Sequence, residues 1–378
     1  MRNRIKYETV VELLGNGILA GFLFAGIHYL YLYQPVAFVF FTAEDRWAEY
    51  GTFVSWFLSS SMLVWALLKF PEFRRPGHYI FALVAFLIAM EEISWGQRIL
   101  GVTTPGFISV QNLQGEFTFH NIWHSTSYYP YIAPAILIGG IVLPIFAFFS
   151  ATLRQLCERL GIPIVPVQYW PFIVLPVYFL EYHWRFVAVA LSDELAELFL
   201  SITVSVIVLH LVLNARENNS VRGTRAVLAT SIMMTIVWFS TAPLAHYFDH
   251  PGSLRFTFHN VSRNELPKNR MYKQADLIFD YIDQHPQYLQ GDAHYIHGLV
   301  LRKLGQEEKA AQVLDIALTE LEQRQQKEPD NPEVYRDSGK VLQALGRRTD
   351  AIGFYQKAVE LDTERLNEIT DPATEANY

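Results

Sequence analysis

Seven stretches of the chain are apolar for about 20 residues each, the length that carries an α-helix across the hydrocarbon core of a bilayer. They run approximately from Val11 to Tyr33, Ala48 to Phe70, His78 to Leu100, Tyr128 to Phe149, Val167 to Ala190, Glu194 to Leu213 and Arg225 to Tyr247. No such run recurs after His250. The pattern predicts an all-α protein in four parts. Residues 1–250 form a polytopic membrane helix bundle of about seven spans, 251–270 a linker, 271–365 a soluble helical-repeat domain and 366–378 a tail.

Composition sharpens the division. Of the 378 residues, 51% are hydrophobic and only 18% are charged. Up to His250 there are 14 Lys and Arg against 16 Asp and Glu, whereas the much shorter remainder carries 16 against 21. The first part is too apolar for a soluble domain, and the second has ordinary soluble composition. A single soluble globule, a collagen-like fibre and a disulfide scaffold are excluded, and one cysteine, Cys157, can form no intramolecular bridge. A net charge of -7 without any Lys/Arg block gives no nucleic-acid signal. The basic start, Met1 to Lys6, suits a signal peptide, but the apolar run behind it is too long and no small-x-small cleavage site follows. We therefore expect an uncleaved anchor.

Orientation follows from the basic residues between the runs. Arg2, Arg4, Lys6, Lys69, Arg74, Arg75, Arg154, Arg159, Arg216, Arg222 and Arg225 fall on one side, with little beyond Arg46 and Arg98 on the other. By the positive-inside rule the N-terminus is cytoplasmic, and an odd number of spans places the part after His250 outside a plasma (bacterial inner) membrane.

The exported part contains a repeat. In Pro332 to Thr363, Tyr335, Gly339, Leu342, Gly346, Ala351, Tyr355, Ala358 and Leu361 stand at the signature positions of a tetratricopeptide repeat (TPR), which this stretch closely resembles; only the terminal Pro departs, replaced by Thr363. An earlier copy from Gly291 keeps Gly298, Leu301, Gly305, Ala310 and Ala317 in register, and a degenerate third ends at Pro286, with Ala275 and Phe279 matching its second helix. Small residues mark where paired helices cross closely, and glycines end the turns. The resemblance implies a concave groove lined by the first helix of each repeat, with Tyr295, Leu299, Arg302, Lys303, Arg336 and Lys340 on it. Four cations there suggest a protein partner offering an acidic peptide or a chain-terminal carboxylate, and a merely solvated basic face is the alternative.

In the membrane part the ionisable residues are the informative ones, because each costs a few kcal/mol at mid-bilayer unless paired or hydrated. Glu49, Glu91, Glu92, Glu181, His183, Asp193, Glu194, Glu197 and His246 all fall near one level towards the external surface. The string EEISWGQR from Glu91, with NLQGEFTFHN from Asn112, resembles a family of uncharacterised bacterial multi-pass membrane proteins. On a continuous helix Glu91, Ser94, Trp95 and Arg98 would form one stripe, letting Arg98 reach back to Glu91, while Glu92 faces about 100° away. Glu181 and Arg185 admit a similar structural pairing.

Glu116, His120 and His124 are spaced four apart, as are His246 and His250, so each set suits a divalent metal such as Zn, Mn or Fe if its segment is helical. No HExxH, GxSxG, Walker or Rossmann string occurs. The leading expectation is a membrane-anchored interaction or assembly module for an envelope process. The alternative is a membrane-embedded enzyme, a metal-dependent hydrolase or a glycosyltransferase using lipid-linked sugars, with Glu91, Glu92, Glu116 and His120 as acid/base groups or metal ligands. Membrane glycosyltransferases of that kind carry acidic pairs in a first external loop, where this chain has Glu44 and Asp45. That likeness is architectural. A transporter is a third reading.

Overall fold

The computed structural model describes residues 7–43, 46–100, 129–185, 192–216, 224–247 and 251–370. All regular structure among them is helical. The chain divides into two compact units, Met1–Thr257 and Phe258–Tyr378.

The first unit begins with α1 (Tyr7–Tyr33), followed by α2 (Pro35–Thr42), α3 (Trp47–Lys69), α4 (Pro76–Glu92) and the short α5 (Gln97–Leu100). Next come α6 (Tyr129–Leu137) and α7 (Leu143–Phe149), joined by a π-helical turn, Ile138–Val142, and then α8 (Ala151–Leu160). The unit is completed by α9 (Trp170–Arg185), α10 (Ser192–Arg216) and α11 (Thr224–Tyr247). Proline sits at the first turn of α2 and α4, where the missing N–H is no loss and the fixed φ suits a helix start.

Each of the seven apolar runs contains helix, but among the described residues four segments are long and apolar enough to cross a membrane: Thr9–Tyr33, Pro35–Lys69, Tyr131–Phe149 and Asp193–Leu213. Val167–Leu180 and Thr230–Leu244 are shorter apolar helices. Large apolar side chains also point outward, Phe22, Leu68, Phe146 and Phe239 among them. A water-facing surface does not carry so many, and a lipid-facing one does. The first unit is that of a membrane protein.

Its packing explains its composition. Apolar helices in lipid gain no hydrophobic drive from meeting one another, so small residues that let backbones approach take over. α3 packs against both α4 and α10. On α3, Gly51 leaves no space for a Cβ, which would lie 2.7 Å from Leu198 of α10. Two turns further, Ser59 meets Ser205 of α10 at 2.8 Å, Ser205 donates to the carbonyl of Ser55, and Ser60 donates to the carbonyl of Ala82 on α4. Phe179 of α9 stacks on Phe199 of α10 at 5.5 Å.

The span expected from His78 to Leu100 is interrupted. α4 stops at Glu92, and Ser94, Trp95 and Gly96 follow with φ of 48°, 56° and 77°. Left-handed backbone is free for glycine but strained for Ser and Trp, so the helix cannot continue to Arg98.

The second unit is a stack of helical hairpins. Residues 251–270, expected to be a linker, are largely helical: α12 (Pro251–Asn260), within which the division between the units falls, runs through a π turn, Val261–Glu265, into the short α13 (Leu266–Lys268). Phe258, Val261 and Leu266 are buried, and the π turn packs on α14 (Tyr272–Gln284). Two further hairpins follow, α15 (Ala293–Lys303) with α16 (Glu307–Lys327) and α17 (Pro332–Ala344) with α18 (Arg348–Thr370). Gly305 and Gly346 end the first helix of each with φ of 75° and 79°, the left-handed terminator that only glycine adopts without cost. Gly298 and Gly339 mark the crossings, where a Cβ would fall 2.6 Å from Leu314 and 2.7 Å from the Tyr355 ring. Ala310, Ala317, Ala351 and Ala358 are buried in the same interfaces.

Candidate functional site

In the membrane unit, carboxylates arrive from three helix ends. α3 starts with Glu49 in its first turn, α10 with Asp193 and Glu194, and α4 ends on Glu91 and Glu92. Glu92 lies within electrostatic reach of Glu197 and Glu91, and Glu194 within reach of Glu197, Glu49, Asp193 and Glu92. The helix ends are not equivalent. Carboxylates in a first turn are favoured by the N–H groups and macrodipole there, whereas Glu91 and Glu92 face the carbonyl end of α4, which repels them. The strained turn supplies part of the compensation, since the Trp95 indole N–H donates to Glu91 Oε1. Tyr50 and Ile93, packed by Trp47, Met90 and Leu244, bury the apolar side of this junction.

The stripe of Glu91, Ser94, Trp95 and Arg98 expected on one helix is therefore not formed. Trp95 does reach Glu91, but from the turn, and the Arg98 side chain lies outside the described residues. Glu116, His120, His124 and His250 also lie outside them, as do the side chains of Glu181, His183, Arg185 and His246.

A second polar centre was not anticipated. Asn16 of α1 is fully buried and donates to the carbonyl of Gln168 at 2.8 Å, Glu12 is buried one turn before it, and the Tyr169 hydroxyl meets His210 Nδ1 of α10 at 3.1 Å. Glu12 and Asn16 at i and i+4 inside an apolar run were the available signal.

In the second unit, a cleft of about 370 Å³ is lined by Tyr295 and Lys340 with Arg263, Arg324, Asp292 and Asp337. The expected groove cations do not all converge there. Arg302 pairs with Glu307 at 3.2 Å and donates to the carbonyl of Ala344 at 2.8 Å, closing the end of α17. Arg336 pairs with Asp362 of α18 at 2.7 Å, Lys340 with Asp337 at 2.8 Å, and Lys303 is exposed outside the cleft lining. Arg263 and Arg324, from outside the first helices of the two hairpins, line the cleft where Arg302 and Arg336 do not.

A further polar cluster was also missed. Asp276, Asp280 and Asp283 project from one face of α14, four and three residues apart, towards His294 and His297 of α15. His297, only 1% exposed, lies 3.0 Å from Asp276 through Nε2 and 3.3 Å from Asp283 through Nδ1. His294 bridges Asp283 at 3.4 Å and Glu320 of α16 at 2.9 Å. Hydrogen bonds that the imidazole donates to Asp283 and then Glu320 raise its pKa to about 9, against the opposing effect of burial. Burial pushes the Asp283 carboxyl up, but hydrogen bonds and charge from His294 and His297 together outweigh it and hold the group well below the usual carboxylate range. Helical spacing of three Asp with two His three apart was legible; that the two faces meet was not.

Comparisons with protein families, curated proteins and solved structures find no match to this chain.

Proposed function

We propose that the protein is a seven-span plasma-membrane protein whose exported TPR-like unit binds a protein partner in an envelope process. The observation that carries this reading is the cleft of about 370 Å³ in the second unit. It combines a half-buried tyrosine with cations and anions from successive hairpins, the lining suited to a peptide carrying an acidic residue or its terminal carboxylate. The cations already paired with Asp292 and Asp337 would exchange an internal carboxylate for the partner's. The orientation rests on the Lys/Arg asymmetry between spans.

One experiment tests partner and side together. A photo-crosslinking phenylalanine analogue replacing Tyr295 should give a discrete adduct in living cells, and Lys340→Ala should weaken it severalfold. The adduct should contain an exported protein. A cytoplasmic protein in it would invert the orientation, and no adduct, or one unaffected by Lys340→Ala, would end the groove reading.

The meeting of Glu49, Glu92, Glu194 and Glu197 supports a second role, acid/base or metal chemistry on a lipid or lipid-linked sugar at the outer surface. Glu92→Gln removes one carboxyl group from a crowded acidic set. We expect unchanged or higher folded yield with loss of the cellular phenotype, whereas Glu91→Gln, which weakens the Trp95 hydrogen bond, should lower yield. Equal yield and equal complementation by both variants would leave neither residue a role.

A further inference from the structure

We propose that Asp276, Asp280 and His297 bind a divalent transition-metal ion, with Asp283 orienting the imidazole. The three side chains offer ligand atoms that all lie within 4.8 Å of one another. Around a tetrahedral ion with bonds of about 2.0 to 2.2 Å, ligand atoms stand about 3.4 Å apart. His297 Nε2 is 3.0 Å from Asp276 Oδ1 and 4.0 Å from Asp280 Oδ1, and with every separation within 4.8 Å side-chain rotations that move ligand atoms by about an ångström would seat an ion.

The imidazole is placed for this task. Nε2 is directed at Asp276 and Asp280 and hydrogen-bonds Asp276, while Nδ1 is buried 3.3 Å from Asp283 Oδ2 without closing a hydrogen bond, so an ion that displaced the Nε2 proton would leave an Nδ1 proton that a small ring rotation brings to that carboxylate. Histidine ligands of metals are oriented by such carboxylates. Phe279 stacks on the ring at 4.9 Å with planes 13° apart, and the residue is 1% exposed, so its plane is fixed before any ion arrives.

Charge points the same way. Asp276, Asp280, Asp283 and Glu320 bring four negative charges to the cluster; counting both Lys309 and His294 as cations leaves two uncompensated. A divalent ion supplies that amount. One imidazole with two carboxylates suits zinc, manganese or cobalt better than calcium or magnesium, and it leaves a fourth position for water. The competing arrangement is an internal ion-pair network closed by Lys309, which lies 3.1 Å from Asp280 and 3.9 Å from Asp276. That ammonium is 43% exposed on a flexible stem. It would compete with the metal and swing out when the metal binds.

The competition provides the test. The full-length protein, purified in detergent and stripped with chelator, is titrated calorimetrically with zinc chloride, and with cobalt to read the visible absorption of a tetrahedral site. We expect one ion per chain, affinity about tenfold weaker in Asp280→Asn and about tenfold tighter in Lys309→Met, the scale on which groups around metal ligands act. Asp280 and Lys309 are both partly exposed, so the variants should fold, and circular dichroism checks this. Both opposite shifts are required. No stoichiometric binding, or binding that either substitution leaves unchanged, would mean that the cluster is an ion-pair network and that any zinc sits elsewhere on the chain.

Discussion

Raising the pH from 6.5 to 9.5 in the presence of chelator should lower the local stability of α14 to α16 by about 3 kcal/mol, and His294→Ala should abolish that dependence. The sign comes from linkage. The His294 pKa is about 9 in the folded chain against an ordinary 6.5. Its contribution is complete below pH 6.5 and is lost as pH rises through 9. A shift of that size corresponds to about 3 kcal/mol at about 1.4 kcal/mol per unit. Asp283 behaves oppositely: its pKa is held down, so its contribution is present above the normal carboxylate range and disappears in acid. The two groups share one interaction, so their contributions must not be added. Maximum stability of the cluster is therefore expected in weakly acidic solution, between about pH 5 and 6.5. Hydrogen exchange of the α14 to α16 amides in the detergent-solubilised protein measures it locally. Protection that is flat from pH 6.5 to 9.5, after correction for intrinsic exchange, would show that His294 is not ion-paired as described.

Glycines in the second unit should respond to substitution with opposite signs. Gly339→Val is expected to cost about 3 kcal/mol or more, because the new Cβ would lie 2.7 to 2.9 Å from three atoms of the Tyr355 ring, and an aromatic ring wedged between helices cannot yield cheaply. The gain from removing a helical glycine, about 1 kcal/mol, does not offset that. Gly353, inside α18, has nothing within 4 Å of its Cβ position, so Gly353→Ala should stabilise by about 0.5 to 1 kcal/mol. Gly346 also has open space but sits at φ 79°, and a substitution there should cost about 1 to 2 kcal/mol from backbone strain alone. Urea midpoints for the three variants separate crowding, propensity and strain. Equal shifts would show that glycine acts here only through helix propensity.

These glycines also show how far the sequence reached. Gly339 at a helix crossing and Gly346 at a turn were read from their register in the repeat, and both hold those places. Such information is local: a periodic pattern specifies helices, their faces and their ends, since each depends on residues within a turn or two. Arg336 marks the limit, because its partner, Asp362, is 26 residues away on the facing helix, and no spacing rule within one element reveals it.

The sequence by itself determined the helical character of each apolar run and the hairpin plan of the second unit. Hydrophobic length, periodicity and glycine placement are intrinsic to the chain. Only the tertiary structure decided that α4 ends at Glu92 instead of running on to Arg98, that carboxylates of α3, α4 and α10 meet, and that His297 lies among three aspartates. A helix-like string can be overruled where a strained turn is held by contacts such as Trp95 to Glu91. Convergence of charges depends on which helix faces which, and that is settled by close packing at positions such as Gly51, Ser59 and Gly298, where the approach of two backbones fixes everything their faces carry.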